Sequence, residues 1–195
     1  MRTNMKQAKK PWARRGLYQL LPVLALALLL LSLPALAAAE FSLPELGLSL
    51  SLPDSVDVFT RSMSPDDPLL KLKGQSAGQV RAELEARGLS LLARDIAGAY
   101  EIQLSATPDQ GTDFSELDEA QIGEIAAEYG AVQFEILGAR QAAFLLVKSG
   151  GEAVCATRVR NQLITLRLIP SSGFDEGMMR TLRGIAQSMD FGLRQ

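Results

Sequence analysis

The hydrophobic residues of the chain follow a period of two in its first polar-rich segment. From Leu46 to Leu52 every second residue is leucine and the residues between are Gly or Ser, which predicts a half-buried strand. Residues 56–60 continue the alternation after Pro53-Asp54, a dipeptide typical of turns. The pattern therefore predicts that a hairpin-like pair of strands opens the folded part of the chain.

Three later segments repeat their apolar residues at helical spacing instead. The first covers about 77–87 and follows Ser76 and Gln79, whose spacing is that of a capping box. The second covers about 118–129, and the third carries an apolar stripe from Phe174 to Met189. These periods predict three amphipathic helices.

The remaining apolar segments are short and are separated by turn residues. Residues 63–74 are rich in Pro and Asp and predict a loop with at most one helical turn. Gly150-Gly151 and Asn161-Gln162 are predicted hairpin turns. Because strands joined by short turns pair antiparallel, the order predicts an α+β fold, a mainly antiparallel sheet of about six to eight strands with three helices packed on it. The further predicted strands are 89–93, 99–105, 132–137, 140–149, 152–160 and 163–169.

The first 39 residues differ from all that follows. Six Lys/Arg residues within 2–15 precede 24 residues without any charge, and Pro34 and five small or apolar residues close the segment. This is the layout of a secretory signal peptide, with cleavage predicted after Ala37 or Ala39. The alternative is an uncleaved signal anchor, because 24 helical residues reach ~36 Å, enough for a ~30 Å hydrocarbon core. Both interpretations place 40–195, predicted to be a single domain, outside the cytoplasm, either secreted or anchored to the membrane by the N-terminal segment.

Charge and composition narrow the chemistry of the exported part. The chain has a net charge of −2, but residues 40–195 hold 14 Lys/Arg against 22 Asp/Glu, a net charge of −8. There is no His and there is one Cys, which excludes a Ser-His-Asp or Cys-His nucleophile and any His-containing or multi-Cys zinc site. Aromatic residues are not interleaved with the basic ones, so no nucleic-acid partner is predicted. We predict no cofactor.

Acidic and basic residues separate along the exported part. The segment 101–135 has no Lys or Arg. Its carboxylates predict either a solvated acidic face or a surface that binds an ion or a partner protein, with Asp113 and Glu116 as the candidate residues. Arg158, Arg160 and Arg167 lie on adjacent predicted strands and predict either a solvated sheet rim or an anion-binding or partner patch.

The single cysteine, Cys155, falls among small apolar residues in a predicted strand. A lone Cys in an exported domain is either a reactive thiol or a buried small hydrophobe. Because no base lies near it in the sequence, we predict the buried hydrophobe.

Several segments resemble PsbP-like extracytoplasmic domains. The resemblance covers roughly residues 44–192 and is carried by the strand and turn 47–53 (GLSLSLP), the turn 138–140 (GAR), the late hairpin, and the helix end 188–191 (SMDF). It implies an α/β/α sandwich on a mainly antiparallel sheet. Members of this family include a photosystem II extrinsic subunit, bacterial envelope lipoproteins and a eukaryotic Ran-binding factor, so the resemblance implies a fold and not one function. This chain lacks the lipidated Cys of the lipoprotein members and the metal-binding His residues of the photosynthetic members.

Together these features predict an exported, non-catalytic domain of the cell envelope that binds an envelope protein or a small ligand, or assists assembly. Two alternatives stay open. One is an extracytoplasmic enzyme that uses carboxylates, with Asp113 and Glu116 as its candidates. The other is a membrane-anchored spacer or stress-related protein, which contacts the membrane through its uncleaved N-terminal segment.

Overall fold

The computed structural model describes residues 38–139 and 141–192, which form nine strands and four α-helices. The predicted cleavage residue Ala37 and the predicted strand start Arg140 lie outside these residues. The strands are β1 (Ala38–Leu43), β2 (Leu48–Pro53), β3 (Val56–Thr60), β4 (Leu91–Asp95), β5 (Tyr100–Pro108), β6 (Gln133–Gly138), β7 (Ala143–Lys148), β8 (Ala153–Val159) and β9 (Gln162–Pro170). The helices are α1 (Pro68–Lys73), α2 (Ala77–Ala86), α3 (Glu119–Glu128) and α4 (Glu176–Ser188), with 3₁₀ turns at Pro44–Leu46 and Phe114–Glu116.

Seven of the strands form one antiparallel sheet in the order β3-β4-β5-β9-β8-β7-β6. The sheet consists of two meanders, β3–β5 and β6–β9, and each follows the chain from neighbour to neighbour. The meanders meet along the β5–β9 pair, in which Tyr100 faces Pro170 and Pro108 faces Gln162. The centre of the sheet is thus a pairing between strands far apart in the sequence.

Helices cover both faces of the sheet. On one face lie α4 and the separate two-stranded sheet β1–β2. Leu50 of the small sheet, Leu166 of the large sheet and Leu182 of α4 belong to one hydrophobic core. On the other face α1 and α2 pack around Phe59 at one end, and α3 packs around Phe114 at the other end. This is the α+β architecture predicted from the sequence, with the sheet at its centre.

The helix boundaries follow from local capping. Ser76 and Gln79 form the predicted capping box of α2, and Asp118 and Gln121 form a second one at α3. Each box satisfies N–H groups that the first helical turn leaves without a partner. Asp175 caps α4 by accepting the N–H of Met178 at 2.7 Å.

The predicted opening hairpin is wrong. β2 does pair antiparallel, but with β1, which the sequence pattern did not predict, while β3 forms an edge of the large sheet. The alternation at 46–60 correctly predicted the two strands, but a local pattern does not determine which strands pair. Two smaller differences are the two-turn helix α1 within the predicted loop 63–74, and a hairpin turn at Arg160-Asn161 instead of Asn161-Gln162.

In the part of the chain that the structure describes, no helix is long and apolar enough to cross a membrane.

Candidate functional site

The two candidate carboxylates lie in the 109–116 loop and act locally. Asp113 precedes the 3₁₀ turn and accepts the backbone N–H of Ser115 at 2.8 Å and its hydroxyl at 2.7 Å. Glu116 is exposed at the end of the same turn. Among residues 38–139 and 141–192, no three acidic or Cys side chains are grouped so that they could hold a metal ion.

Arg158 attaches this loop to the sheet. Its Nε donates to Oδ2 of Asp109 at 2.8 Å, and its Nη1 donates to the carbonyl oxygen of Thr112 at 2.7 Å. The guanidinium carbon lies 4.6 Å from the ring centroid of the buried Phe114, within the range of a cation–π contact. The Arg158 head group is thus engaged by an acid, a loop carbonyl and an aromatic ring of its own chain.

Gly111 allows this close approach. A β-carbon on Gly111 would lie 2.6 Å from the Arg158 guanidinium, so a larger residue would displace the arginine. The hydrogen bond from Arg158, with a further one from the Gly111 N–H, lowers the pKa of Asp109 below its ordinary value. Asp109 therefore stays charged and keeps its ion pair in mild acid.

Arg160 points to a different part of the molecule. It occupies a left-handed backbone conformation with φ of 54°, followed by Asn161 with φ of 59°. These angles are those of a type I′ hairpin turn. Nη2 of Arg160 donates to the carbonyl oxygen of Phe191 at 2.6 Å, so the turn is tied to the C-terminal segment.

Arg167 lies on β9 and is half-exposed, with its Nη1 3.6 Å from Oε1 of Glu152. Arg158 contacts the α3 side of the sheet, and Arg160 contacts the segment after α4 on the opposite side. The three arginines of the predicted patch therefore have separate partners, and the structure does not gather them into one anion site.

Glu101 occupies the most densely paired position of the acidic segment. It accepts hydrogen bonds from Arg87 at 2.6 Å, Gln103 at 2.6 Å and Arg94 at 3.3 Å, and Arg94 also reaches Glu83 at 3.0 Å. Desolvation acts to raise the pKa of Glu101, but these hydrogen bonds outweigh it and lower the pKa. Such a carboxylate is a structural ion-pair partner and a poor proton donor at neutral pH.

Cys155 is fully buried in β8, as predicted. Burial, reinforced by the negative charge of Glu135, raises the pKa of its thiol to about 12. Thiolates are the reactive form of cysteine, so we expect this thiol not to react in the folded protein.

The outer strand β6 presents the largest concentration of exposed apolar side chains. Among the described residues, five large hydrophobic side chains lie exposed, and three of them lie in or next to β6. Phe134 and Ile136 are within the strand, at 45% and 38%, and Val132 directly precedes it, at 68%, with its N–H bonded to the carbonyl oxygen of Lys148. We call these three residues the β6 edge surface. Phe134 also lies beside α3, where its ring is 3.8 Å from the position that a β-carbon on Gly123 would take.

A charged groove lies on the other side of the same strand. It has a volume of about 270 Å³ and is lined by residues of β6, β7 and α4. Within it Nη2 of Arg183 lies 2.5 Å from Oε1 of Glu135, and Lys148 lies 5.6 Å from the ring centroid of Phe174. The outer strand therefore has an apolar side and a charged side, both accessible.

A second open groove of about 370 Å³ lies at the opposite end of the sheet beside α1. Two of its charged residues pair with each other, since Nζ of Lys73 lies 2.6 Å from Oδ2 of Asp57. Arg94 lies above the ring of Phe59, 5.8 Å from its centroid, and pairs with Glu83 and Glu101 outside the groove.

The sequence pattern predicted that β6 is a strand but did not predict that its side chains are exposed. Its alternation of Val132, Phe134 and Ile136 with Gln133 and Glu135 is typical of a half-buried strand. The burial of such a strand depends on its position in the sheet, which the local pattern does not contain. The sequence signal that was available is the absence of Lys, Arg and Pro from 132–139, the residues that usually protect an edge.

The comparisons with known proteins agree with this architecture. No protein-family model and no curated protein sequence matches the chain. Its structure is similar to the solution structure of cyanobacterial PsbP (CyanoP) from Synechocystis sp. PCC 6803, with a TM-score of 0.50 at 11% sequence identity. The match covers 82% of this chain and 95% of that chain. The chain thus has a PsbP-like fold, as the resemblance implied, and at this identity the likeness concerns the fold alone.

Proposed function

We propose that this chain is an exported, non-catalytic accessory domain of the cell envelope that binds another protein through the β6 edge surface. The proposal starts from the PsbP-like fold, in which β6 is the outermost strand of the large sheet.

The observation that carries the proposal is the exposure of β6. Nearly every residue of this strand is exposed, whereas the residues of β3 at the other edge are mostly buried. An edge strand with free backbone groups and apolar side chains is the surface to which an extended segment of a partner adds as a further strand. Val132, Phe134 and Ile136 supply the apolar contact area for such a partner.

The charged side chains favour binding over the carboxylate-based enzyme. A general acid or base needs a carboxyl group that is free to reach a substrate. Asp113 is engaged by Ser115, Asp109 by Arg158, and Glu101 by two arginines. Glu116 is exposed, but the carboxylate beside it in the same turn, with which it would divide the acid and base roles, is that of Asp113, which is already engaged by Ser115.

Export is supported by the first 39 residues. Six Lys/Arg residues precede the charge-free segment 16–39, which is the layout of a secretory signal peptide. Cell fractionation tests this part of the proposal: the protein is expected in the extracytoplasmic fraction, and recovery in the cytoplasm would contradict it.

The binding function is tested by affinity capture from the envelope fraction of the source cells. Tagged wild-type protein is compared with Phe134→Ser, which removes the central ring of the β6 edge surface, and with Leu72→Ser as the matched control. Leu72 is 78% exposed on α1, so the control removes a similar apolar side chain from another surface. We expect wild type and Leu72→Ser to retain the same envelope protein, and Phe134→Ser to lose it.

Two results would count against the proposal. One is the recovery of no partner at any salt concentration. The other is equal capture by Phe134→Ser and wild type, which would move the binding surface away from β6. If the leader is retained and the full-length protein captures nothing, the membrane-anchored spacer becomes the better description.

A further inference from the structure

The backbone of β6 offers a symmetric set of free hydrogen-bonding groups. Ala139 donates its N–H to the carbonyl oxygen of Ala142 on the β7 side at 3.0 Å. In an antiparallel ladder the residues that bond to the neighbouring strand alternate with residues that do not. The odd-numbered residues of β6 therefore bond to β7, and Phe134, Ile136 and Gly138 direct their N–H and C=O groups away from the sheet. These three positions are symmetric about Ile136.

From this open edge, and from the self-complementary side chains that an antiparallel pairing brings together, we infer that the strand which occupies the β6 edge is β6 of a second copy of the chain, paired about a two-fold axis at Ile136. This inference rests on the proposed function and names the partner of the same surface. In this register Phe134 of one copy faces Gly138 of the other, and Ile136 faces Ile136. All three outward-facing positions are used on both strands.

The side chains fit this register on the apolar face. A cross-strand pair of isoleucines at the axis contributes to sheet stability. The ring of Phe134 lies over a glycine of the other copy, which leaves space for it and shields the glycine backbone from water. The interface is isologous, so each copy contributes the same residues and the contact closes at two molecules.

On the opposite face of the strand, this register also keeps the two Glu135 carboxylates from facing each other. Glu135 of one copy faces Leu137 of the other, so the two carboxylates are not directly opposed. Each Glu135 is neutralised by its own Arg183 at 2.5 Å. Like charges directly opposite each other across two strands would destabilise the pair, and this register avoids that.

The rest of the sheet explains why pairing occurs at this edge. Along β6 and its ends, residues 132–139 contain no Lys, Arg or Pro. The opposite edge strand β3 carries Asp57, whose carboxylate is bridged by Lys73 from α1 at 2.6 Å, and most of its side chains are buried. One edge is thus protected by charge and coverage, and the other is open to an added strand.

The contact is small. It comprises one strand and its outward side chains on each copy, well below the ~1,200–2,000 Å² of a stable interface. We expect a dimer with a dissociation constant on the order of micromolar, which associates and dissociates with concentration.

The test is sedimentation velocity on the protein as the cell produces it, across micromolar concentrations. Wild type is expected to shift from monomer to dimer. Ile136→Lys and Ile136→Glu each place two like charges at the axis and are expected to weaken self-association at least about a hundredfold. An equimolar mixture of the two variants places Lys opposite Glu and is expected to restore the dimer. Urea unfolding of both variants checks that they stay folded.

The control is Ile96→Lys, which adds the same charge at an isoleucine exposed in the turn between β4 and β5 and is expected to dimerise as wild type does. A wild type that stays monomeric at every concentration, or a Lys/Glu mixture that does not associate, overturns the inference. If wild type is monomeric and still captures an envelope partner through Phe134, the inference fails and the proposed function stands. If wild type dimerises but captures no protein other than itself, the inference stands and the accessory role fails.

Discussion

A single guanidinium group holds the 109–116 loop on the sheet. Arg158 pairs with Asp109, donates to a loop carbonyl and lies over the ring of Phe114. Both partners of the ion pair are partly buried, so water screens it less than a surface pair. Removing one partner would also leave the other without compensation for its lost hydration.

We therefore expect Arg158→Ala to lower the free energy of unfolding by roughly 1.5–3 kcal/mol. The matched control is Arg167→Ala, whose side chain is half-exposed and 3.6 Å from Glu152, and which should cost less than about 1 kcal/mol. Urea denaturation followed by circular dichroism measures both. Equal losses in the two variants would mean that the Arg158 contacts add nothing beyond an ordinary surface charge.

The ion pair also gives the stability a defined pH dependence. The folded pKa of Asp109 is lower than its unfolded value near 3.8, so its contribution is fully present above that value and is lost as the pH falls through the folded pKa. Asp109→Asn should be less stable than wild type at neutral pH, and the difference should shrink below about pH 4. Urea midpoints at a series of pH values test this. A difference that stays constant down to pH 3 would exclude the charge as its cause.

We expect the thiol of Cys155 not to react with alkylating reagents in the folded protein. With its pKa raised to about 12 by burial, the Cys155 thiol is protonated throughout the neutral range and shielded from reagents. We expect no alkylation of the native protein by iodoacetamide at pH 8, and one equivalent after unfolding in urea. Native labelling as fast as in the unfolded protein would show that β8 opens readily. Self-association should likewise not depend on a reducing agent.

At the scale of elements, the residue that precedes β2 lies against the turn between β8 and β9. Gly47 has φ of 58°, a conformation that favours glycine, and a β-carbon there would lie 2.7 Å from Nη1 of Arg160. Arg160 in turn donates to the carbonyl oxygen of Phe191. The small sheet, the late hairpin and the C-terminal segment therefore meet at one arginine.

Gly47→Ala is expected to cost more than Gly88→Ala. Both glycines have positive φ, which costs an alanine roughly 1–2 kcal/mol, but only the β-carbon at Gly47 meets a side chain. The additional cost should disappear in an Arg160→Ala background, since the arginine is then absent. Urea unfolding of the two single variants and of the double variant measures this as a mutant cycle. An additive cycle would show that the two residues do not interact.

The elements themselves could be predicted where local chemistry determines them. Helices α2, α3 and α4 were predicted because a capping residue and an apolar stripe lie within the helix itself. The predicted pairing of β2 with β3 was wrong because strand pairing depends on residues elsewhere in the chain. β1 was missed because the Ala-rich start of 38–43 was attributed to the end of the leader. The β6 edge surface depends on strand order, which no local period contains.

At the scale of the whole molecule, the β1–β2 pairing distinguishes between the two predicted cleavage sites. Ala38 faces Pro53 and Ala39 faces Leu52 in the β1–β2 pair. Cleavage after Ala37 leaves every pair that the structure describes in this small sheet, and cleavage after Ala39 removes two of them. We therefore expect the mature protein to begin at Ala38, with intact mass and N-terminal sequencing as the measurement. A start at Glu40 would contradict this, and tryptophan emission from the exported protein would indicate that Trp12 and the leader are retained.

The β5–β9 pair at the centre of the sheet imposes an order on folding. A chain that is synthesised from its N-terminus delivers β5 early, and more than fifty residues follow before β9. During that interval β5 has one unpaired side, and the first meander stands alone without its neighbour. Closing so long a loop slows folding and exposes strand edges to aggregation. The sheet is completed only when residues 162–170 have emerged, so a truncation before β9 should leave a chain that general chaperones and proteases recognise.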